Sequence, residues 1–280
     1  MKRRAAIGFL ALVLPALALL VLGAPAPAQA AGQVTEVCRF SDKRLTEISG
    51  ITLSVLHPGV AWVHNDSSGG PFVYAISLTT CRTVARVRIA GVPARDIEAI
   101  AMGRGKNSNP VMWVADIGDN IDGWSYVWLY RFQEPKVLAD VTVQPRVFRV
   151  TYKDRSHNAE TLLVDPRSTR MWIVTKQLAH GQLYELPRPL SRTRVNVARP
   201  IRREGGMVTD GAISPDGTRY VLRDYVNATI FRGLPPGAQQ EVIGLPFQPQ
   251  GEAVTWTADG RALLVASERD TRLLRVEVGP

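Results

Sequence analysis

Several common chemistries are missing from this chain. It has two cysteines, and they form neither a Cys-x-x-Cys pair nor any zinc-binding spacing. That excludes thioredoxin-like redox chemistry and cysteine-ligated zinc. No Gly-x-Ser-x-Gly, His-Glu-x-x-His or phosphate-binding loop occurs, so the usual hydrolase, metalloprotease and nucleotide-dependent signatures are absent. Ser49 has no base beside it in sequence. After the first thirty residues there is no run apolar enough to span a bilayer and no 3.6-residue helical periodicity. The net charge is +9, but the excess is spread as single arginines over strand-like and turn-like segments. A nucleic-acid footprint would gather basic residues with aromatics between them, so nucleic acid is not an expected partner.

What is present begins with a targeting pattern. Lys2-Arg3-Arg4 precedes the apolar run Ala5–Gly23 and the small-residue stretch Ala24-Pro-Ala-Pro-Ala-Gln-Ala30. This order predicts a secretory signal over 1–30, cleaved after Ala30; an uncleaved anchor is the alternative. The expected product is secreted or extracytoplasmic, monomeric, without a membrane span, and a single domain over 31–280. In that compartment an even cysteine count suggests a disulfide, and Cys38 with Cys81 is the one pairing available.

The rest of the chain repeats itself. Ser49-Gly-Ile, Glu98-Ala-Ile, Glu160-Thr-Leu, Asp210-Gly-Ala and Glu252-Ala-Val head five phrases at intervals of 49, 62, 50 and 42 residues. Each head opens a short apolar strand followed by a turn, such as Ser214-Pro-Asp-Gly217 or Ala258-Asp-Gly260. Second strands then align as Ala61-Trp-Val-His64, Met112-Trp-Val-Ala115, Met171-Trp-Ile-Val174, Tyr220-Val-Leu-Arg223 and Leu263-Leu-Val-Ala266. Third and fourth strands follow, except that the last repeat ends before a fourth. The unassigned run Val34–Phe40 can supply it. Four-stranded repeats without helices are propeller blades, and a terminal strand completing the last blade removes an open edge. The expectation is an all-β, five-bladed propeller closed by an N-terminal outer strand. Six blades is the alternative, because the longest interval could hold a degenerate blade around Val137–Thr151.

The succession Glu47-Ile-Ser-Gly-Ile, His64-Asn-Asp-Ser, Asp96-Ile-Glu-Ala-Ile-Ala, Asp116-Ile-Gly-Asp-Asn, Asn158-Ala-Glu-Thr-Leu, Asp210-Gly-Ala-Ile-Ser-Pro-Asp-Gly and Gln250-Gly-Glu-Ala resembles a group of secreted actinobacterial β-propeller proteins without settled function. The two cysteines match that group as well. More distantly, the chain is similar to propeller proteins labelled esterase-like or phytase-like. The resemblance implies the propeller fold and transfers no catalytic set.

In a propeller the start of each inner strand and the end of the next lie at one mouth of the central channel. That places Ser49, Glu98, Glu160, Asp210 and Glu252 in an inner ring. Asn65, Asp66, Asp116, Lys176, Arg223, Asp224 and Glu268 fall beside it. Crowded carboxylates raise one another's pKa and titrate as a set, so the ring needs a cation, a shared proton, or Arg223 and Lys176. All-oxygen ligands suit calcium or magnesium, with Glu98, Asp116, Glu160, Asp210 and Glu252 as the metal set. Ser49, Asn65, Asp66, Lys176, Arg223, Asp224 and Glu268 are candidate ligand-binding residues. The competing reading is structural: acidic heads that bond backbone amides of the neighbouring blade. His64 and His157 are candidate general bases, Trp62, Trp113 and Trp172 inter-blade core, and Trp124 and Trp128 candidate exposed contacts. Two functions follow. One is a binding module that holds a small polar ligand or a cell-envelope partner at the mouth, with or without a divalent cation. The other is a metal-dependent hydrolase of an ester, lactone or phosphoester that uses Glu98, Glu160, Asp210, Glu252 or Arg223.

Overall fold

The computed structural model describes residues 33–66 and 69–279; the expected leader lies outside them. No α-helix occurs among the described residues, and none is long and apolar enough to cross a membrane. The chain folds as an all-β propeller. After β1 (Val34–Arg39), four antiparallel strands form a first unit: β2 (Ile48–Leu53), β3 (Val60–Asn65), β4 (Phe72–Ser77) and β5 (Thr83–Ile89). A second contains β6 (Ile97–Arg104), β7 (Pro110–Asp116), β8 (Val127–Gln133) and, after the short β9 (Val141–Val143), β10 (Arg146–Tyr152). A third runs through β11 (Ala159–Val164), β12 (Met171–Thr175), β13 (Gln182–Glu185) and β14 (Asn196–Arg203). The fourth comprises β15 (Asp210–Ile213), β16 (Arg219–Arg223), β17 (Asn227–Arg232) and β18 (Ala238–Gly244). Last come β19 (Gln250–Trp256), β20 (Ala262–Glu268) and β21 (Arg272–Glu277), to which β1 adds as the outer strand, Val34 opposite Val276 and Arg39 opposite Arg272.

The first strands of the units touch in a cycle: β2 meets β6, β6 meets β11, β11 meets β15, β15 meets β19, and β19 returns to β2. Burial follows from that position. The second strands β3, β12 and β20 are buried at every residue, whereas the outer β5 alternates buried and accessible residues. A strand packed on both faces needs apolar residues at every position; one with a wet face needs them at every second. Apolar clusters fill the wedges between successive units, with Trp62 and Tyr130 in one, Trp113 and Leu162 in the next, and Trp172 and Phe231 in a third. Trp62 and Trp172 are fully buried, so the aligned tryptophan slot is core, as its periodicity suggests.

The long second interval holds β9. Those three residues pair in parallel with β5 and extend the first unit's edge. A parallel pairing between β10 and β14 likewise joins the outer edges of the second and third units into one eight-stranded sheet. Cys38 and Cys81 are bonded, with Cα atoms 5.6 Å apart. The bond ties the closing strand to the turn between β4 and β5.

Candidate functional site

The registers place the head of each first strand beside the end of the second: Ile48 opposite Asn65, Ile97 opposite Asp116, Ala159 opposite Thr175, Asp210 opposite Arg223 and Gln250 opposite Glu268. All five junctions lie at one mouth of the channel. The ladders break there in a regular way. Pairing skips between Ile48 and Gly50, Ile97 and Ala99, Ala159 and Thr161, and Gly251 and Ala253. The skipped residues are Ser49, Glu98, Glu160 and Glu252, four of the five heads. A β-bulge leaves its extra residue out of the ladder and re-aims its side chain. Asp210 is the exception. Its strand pairs without interruption, and its carboxyl accepts a 2.7 Å hydrogen bond from the Val254 amide of the next unit. The structural role therefore belongs to Asp210, which is fully enclosed and is pushed well above the usual carboxylate range by burial. Its Oδ2 is thereby engaged with the next unit.

The bulged heads build two groups. On one side Ser49 Oγ donates to Glu98 Oε2 at 3.1 Å. Glu98, Asp96 and Asp66 each bring a carboxylate oxygen within 4.8 Å of the others. Burial, then Asp66, pushes Asp96 up to about 7, and the two share a hydrogen bond. Burial and the nearby Glu160 raise Glu98 well above its normal value. Gly118 closes the floor. A Cβ there would stand 2.3 Å from Asp96 Oδ2 and 2.7 Å from Glu98 Oε1, so only glycine lets the backbone pass beneath the triad.

On the other side Lys176 Nζ lies 2.7 Å from Glu160 and 3.5 Å from Glu252. Its ammonium also sits 5.2 Å above the Tyr225 ring. Burial works against its charge, but Glu160, Tyr225 and Glu252 together outweigh it and raise the lysine pKa. Burial pushes Glu160 up to about 8 even with Lys176 opposing it, and its Oε2 is buried without a hydrogen-bond partner. Glu268 bonds Glu252 and is pushed up to about 8 by burial and by that neighbour. Six carboxyl groups thus share the mouth with one ammonium.

Other expected members sit elsewhere. Asp116 is already engaged: its oxygens accept from the Arg95 and Asp96 amides at 3.1 and 3.0 Å and from Tyr130 Oη at 2.7 Å. It holds the loop that carries Asp96. Asn65 turns outward, donating to the Arg44 carbonyl and accepting from the Glu47 amide. Asp224 caps a turn through the Val226 and Asn227 amides. Arg223 is fully buried and donates to the Ala253 and Ala266 carbonyls and to Gln248. It stitches the fourth unit to the fifth, and its charge also faces Asp210 and Glu252. His64 donates from Nδ1 to the Asn65 carbonyl and is held neutral by burial, its pKa lowered to about 4. His157 is enclosed by Asp154, Tyr184 and Gln177. Sequence reading missed Asp96, because it lies in a loop and converges on Glu98 only through the Asp116 bonds.

The rim of this mouth is apolar as well as acidic. Ile121, Leu178, Val226 and Phe247 are 84, 86, 64 and 84% exposed, and each belongs to a loop on this face. Trp124 is 43% exposed with the Arg95 guanidinium 4.1 Å above its ring, whereas Trp128 is half-buried and packs edge-on against Tyr126.

No family model and no curated protein matches the chain. Among solved structures it is similar to a chain in a crystal structure of the mitotic checkpoint complex, at 10% identity and a TM-score of 0.42, over 79% of this chain and 62% of that one. It is also similar to the Dos1 propeller, at 11% identity and a TM-score of 0.40, over 83% of this chain and 60% of that one. The chain thus spans about three fifths of the length of those two. No binding or catalytic role is taken from either.

Proposed function

We propose that this protein is an exported, five-bladed propeller that acts as a binding module, holding a divalent cation of the calcium or magnesium class at its acidic mouth and an envelope partner on the apolar rim around it. The observation that carries this reading is the Asp66–Asp96–Glu98 triad, with three carboxylate oxygens inside 4.8 Å of one another. Hard oxygen donors at that spacing match the 2.3–2.6 Å ligand shell that calcium takes, about twice that distance apart at most. Lys176 stands with Glu160 and Glu252 on the other side of the mouth. The exposed Ile121, Leu178 and Phe247 give a partner apolar contact beside that charge. A metal-dependent hydrolase would draw on the same carboxylates. Of the two histidines that could act as its base, His64 is held neutral by burial and His157 is enclosed by Asp154, Tyr184 and Gln177.

The test is calorimetric titration of the mature protein with calcium and with magnesium near neutral pH, in two buffers of different ionisation enthalpy. Asp96 titrates at about 7, so cation binding should expel protons and the measured heat should differ between buffers. Glu98→Gln and Asp96→Asn should each weaken binding. Absence of heat, proton release and any melting shift at millimolar metal in the wild type overturns the cation reading.

A further inference from the structure

The opposite mouth is built for a different chemistry. A chamber of about 510 Å³ enters the channel there, walled by all five first strands. Its depth is set by Ile51, Ile100 and Leu162, with Trp256 and Ile213 nearer the opening. No aspartate or glutamate lines it among the described residues, and Arg104 is its single charged wall residue. A volume in the range of about 300–1,000 Å³, apolar with few polar groups, is typical of small-molecule sites.

Arg104 and Val164 also belong to a second, adjoining pocket of about 200 Å³ between the second and third units. Five arginines line it: Arg104, Arg131, Arg146, Arg188 and Arg192. None of them is ion-paired with a carboxylate among the described residues. Arg131 and Arg146 stand directly opposite each other across the β8–β10 ladder, and the Arg131 guanidinium is held 5.6 Å over the Trp113 ring. Like charges in that relation are destabilising; an anion between them removes the cost. Planar guanidinium forks match phosphate oxygens in pairs.

We infer that the two chambers form one bipartite site for a single-chain, phosphate-bearing amphiphile, with its head among the arginines and its tail in the channel. Arg104, in both walls, marks the junction; its Nε donates to the Pro166 carbonyl, which fixes the side chain at that border. The inference is independent of the cation at the acidic mouth.

Monododecyl phosphate below its micellar concentration is the probe, with inorganic phosphate and dodecyl maltoside as its two halves. Calorimetry should find one alkyl phosphate per chain, bound at least about tenfold more tightly than either half, because both chambers contribute. The double variant Arg131→Gln/Arg146→Gln should lose at least about tenfold in that affinity by removing two charge-assisted contacts. Ala258→Trp, at an exposed chamber residue, should weaken the alkyl phosphate while leaving inorganic phosphate unchanged. Glu98→Gln should affect neither. Equal affinity for inorganic and alkyl phosphate would show an adventitious anion site with no role for the channel. Unchanged binding in the arginine variant, with its fold verified by circular dichroism, or no binding of the alkyl phosphate at all, overturns the proposal.

Discussion

Replacing Glu134 by glutamine should cost about 3 kcal/mol, although the residue itself lines neither the acidic mouth nor the opposite chamber. Glu134 follows β8 and is 3% exposed. Its Oε1 accepts from Ser54 Oγ at 2.5 Å and Trp62 Nε1 at 2.8 Å, and its Oε2 from the Val55 and Leu56 amides at 3.2 and 3.0 Å. One carboxylate of the second unit therefore satisfies four donors of the first. In the amide variant the retained oxygen best faces the two backbone donors, which cannot rotate. The Ser54 hydroxyl can turn to accept from the new NH2 group, but Trp62 Nε1 cannot. One buried donor is left unmade, at about 1–3 kcal/mol, and two bonds fall from charged to neutral strength, at about 0.5–1 kcal/mol each. Urea unfolding of Glu134→Gln, Trp62→Phe and the double variant measures this. Because Trp62→Phe removes the orphaned donor, the double variant should be more stable than the sum of the singles by about 1 kcal/mol or more. A Glu134→Gln protein within about 0.5 kcal/mol of wild type, or strictly additive variants, would refute the bracket.

Three further outcomes are expected. Folded Asp96, Glu160 and Glu268 hold protons to about 7, 8 and 8, whereas the same groups in the unfolded chain release them near 4; stability is therefore greatest at acid pH and is lost as pH rises through about 7 to 8. Thermal melts from about pH 5 to 9 should show that fall, flattened by millimolar calcium, and a melting temperature that rises with pH would contradict it. Asp210→Asn should cost less than about 1 kcal/mol and Asp210→Ala about 2–3, since the amide keeps the acceptor for the Val254 amide that alanine removes; equal costs in chemical denaturation would mean the carboxylate acts by its charge. Cys38→Ser/Cys81→Ser should lose up to about 4 kcal/mol, the chain-entropy value for a 43-residue separation, and a melting temperature equal to the reduced wild type's is the check.

The architecture was legible because burial on both faces writes itself into composition. The Met-Trp-Val phrases are second strands, and the run beginning at Val34 is the closing strand. Asp-Gly turns, the cysteine pair and the tryptophan slot were readable for the same local reasons. The bulges were not, because nothing in Glu-Ala-Ile differs from Asp-Gly-Ala in a way that marks an extra residue in one ladder and none in the other. That difference decides which acidic heads face the channel. Asp116 looked like a ligand, yet the loop before β6 lies so that its amides reach the carboxylate. The arginines read as scattered singles; the ladder and the loop after β13 bring five of them together. Long-range convergence of loop residues leaves no periodic trace in sequence.

The order in which this ring can be assembled follows from its closing strand. β1 is the first strand in chain order among the described residues, and its partner β21 is the last. Contacts of such sequence separation form late and slowly, so β1 must wait with an unpaired edge through the maturation of every other unit. Cys81, in contrast, arrives soon after the first unit's third strand. Oxidation of the pair at that stage would moor β1 against the first unit, where the fifth must eventually dock. The disulfide then works as a temporal device: it stores the first strand at its destination and shortens the search at the final step. Refolding of the oxidised protein should accordingly be faster than that of the Cys38→Ser/Cys81→Ser variant by more than their difference in stability accounts for.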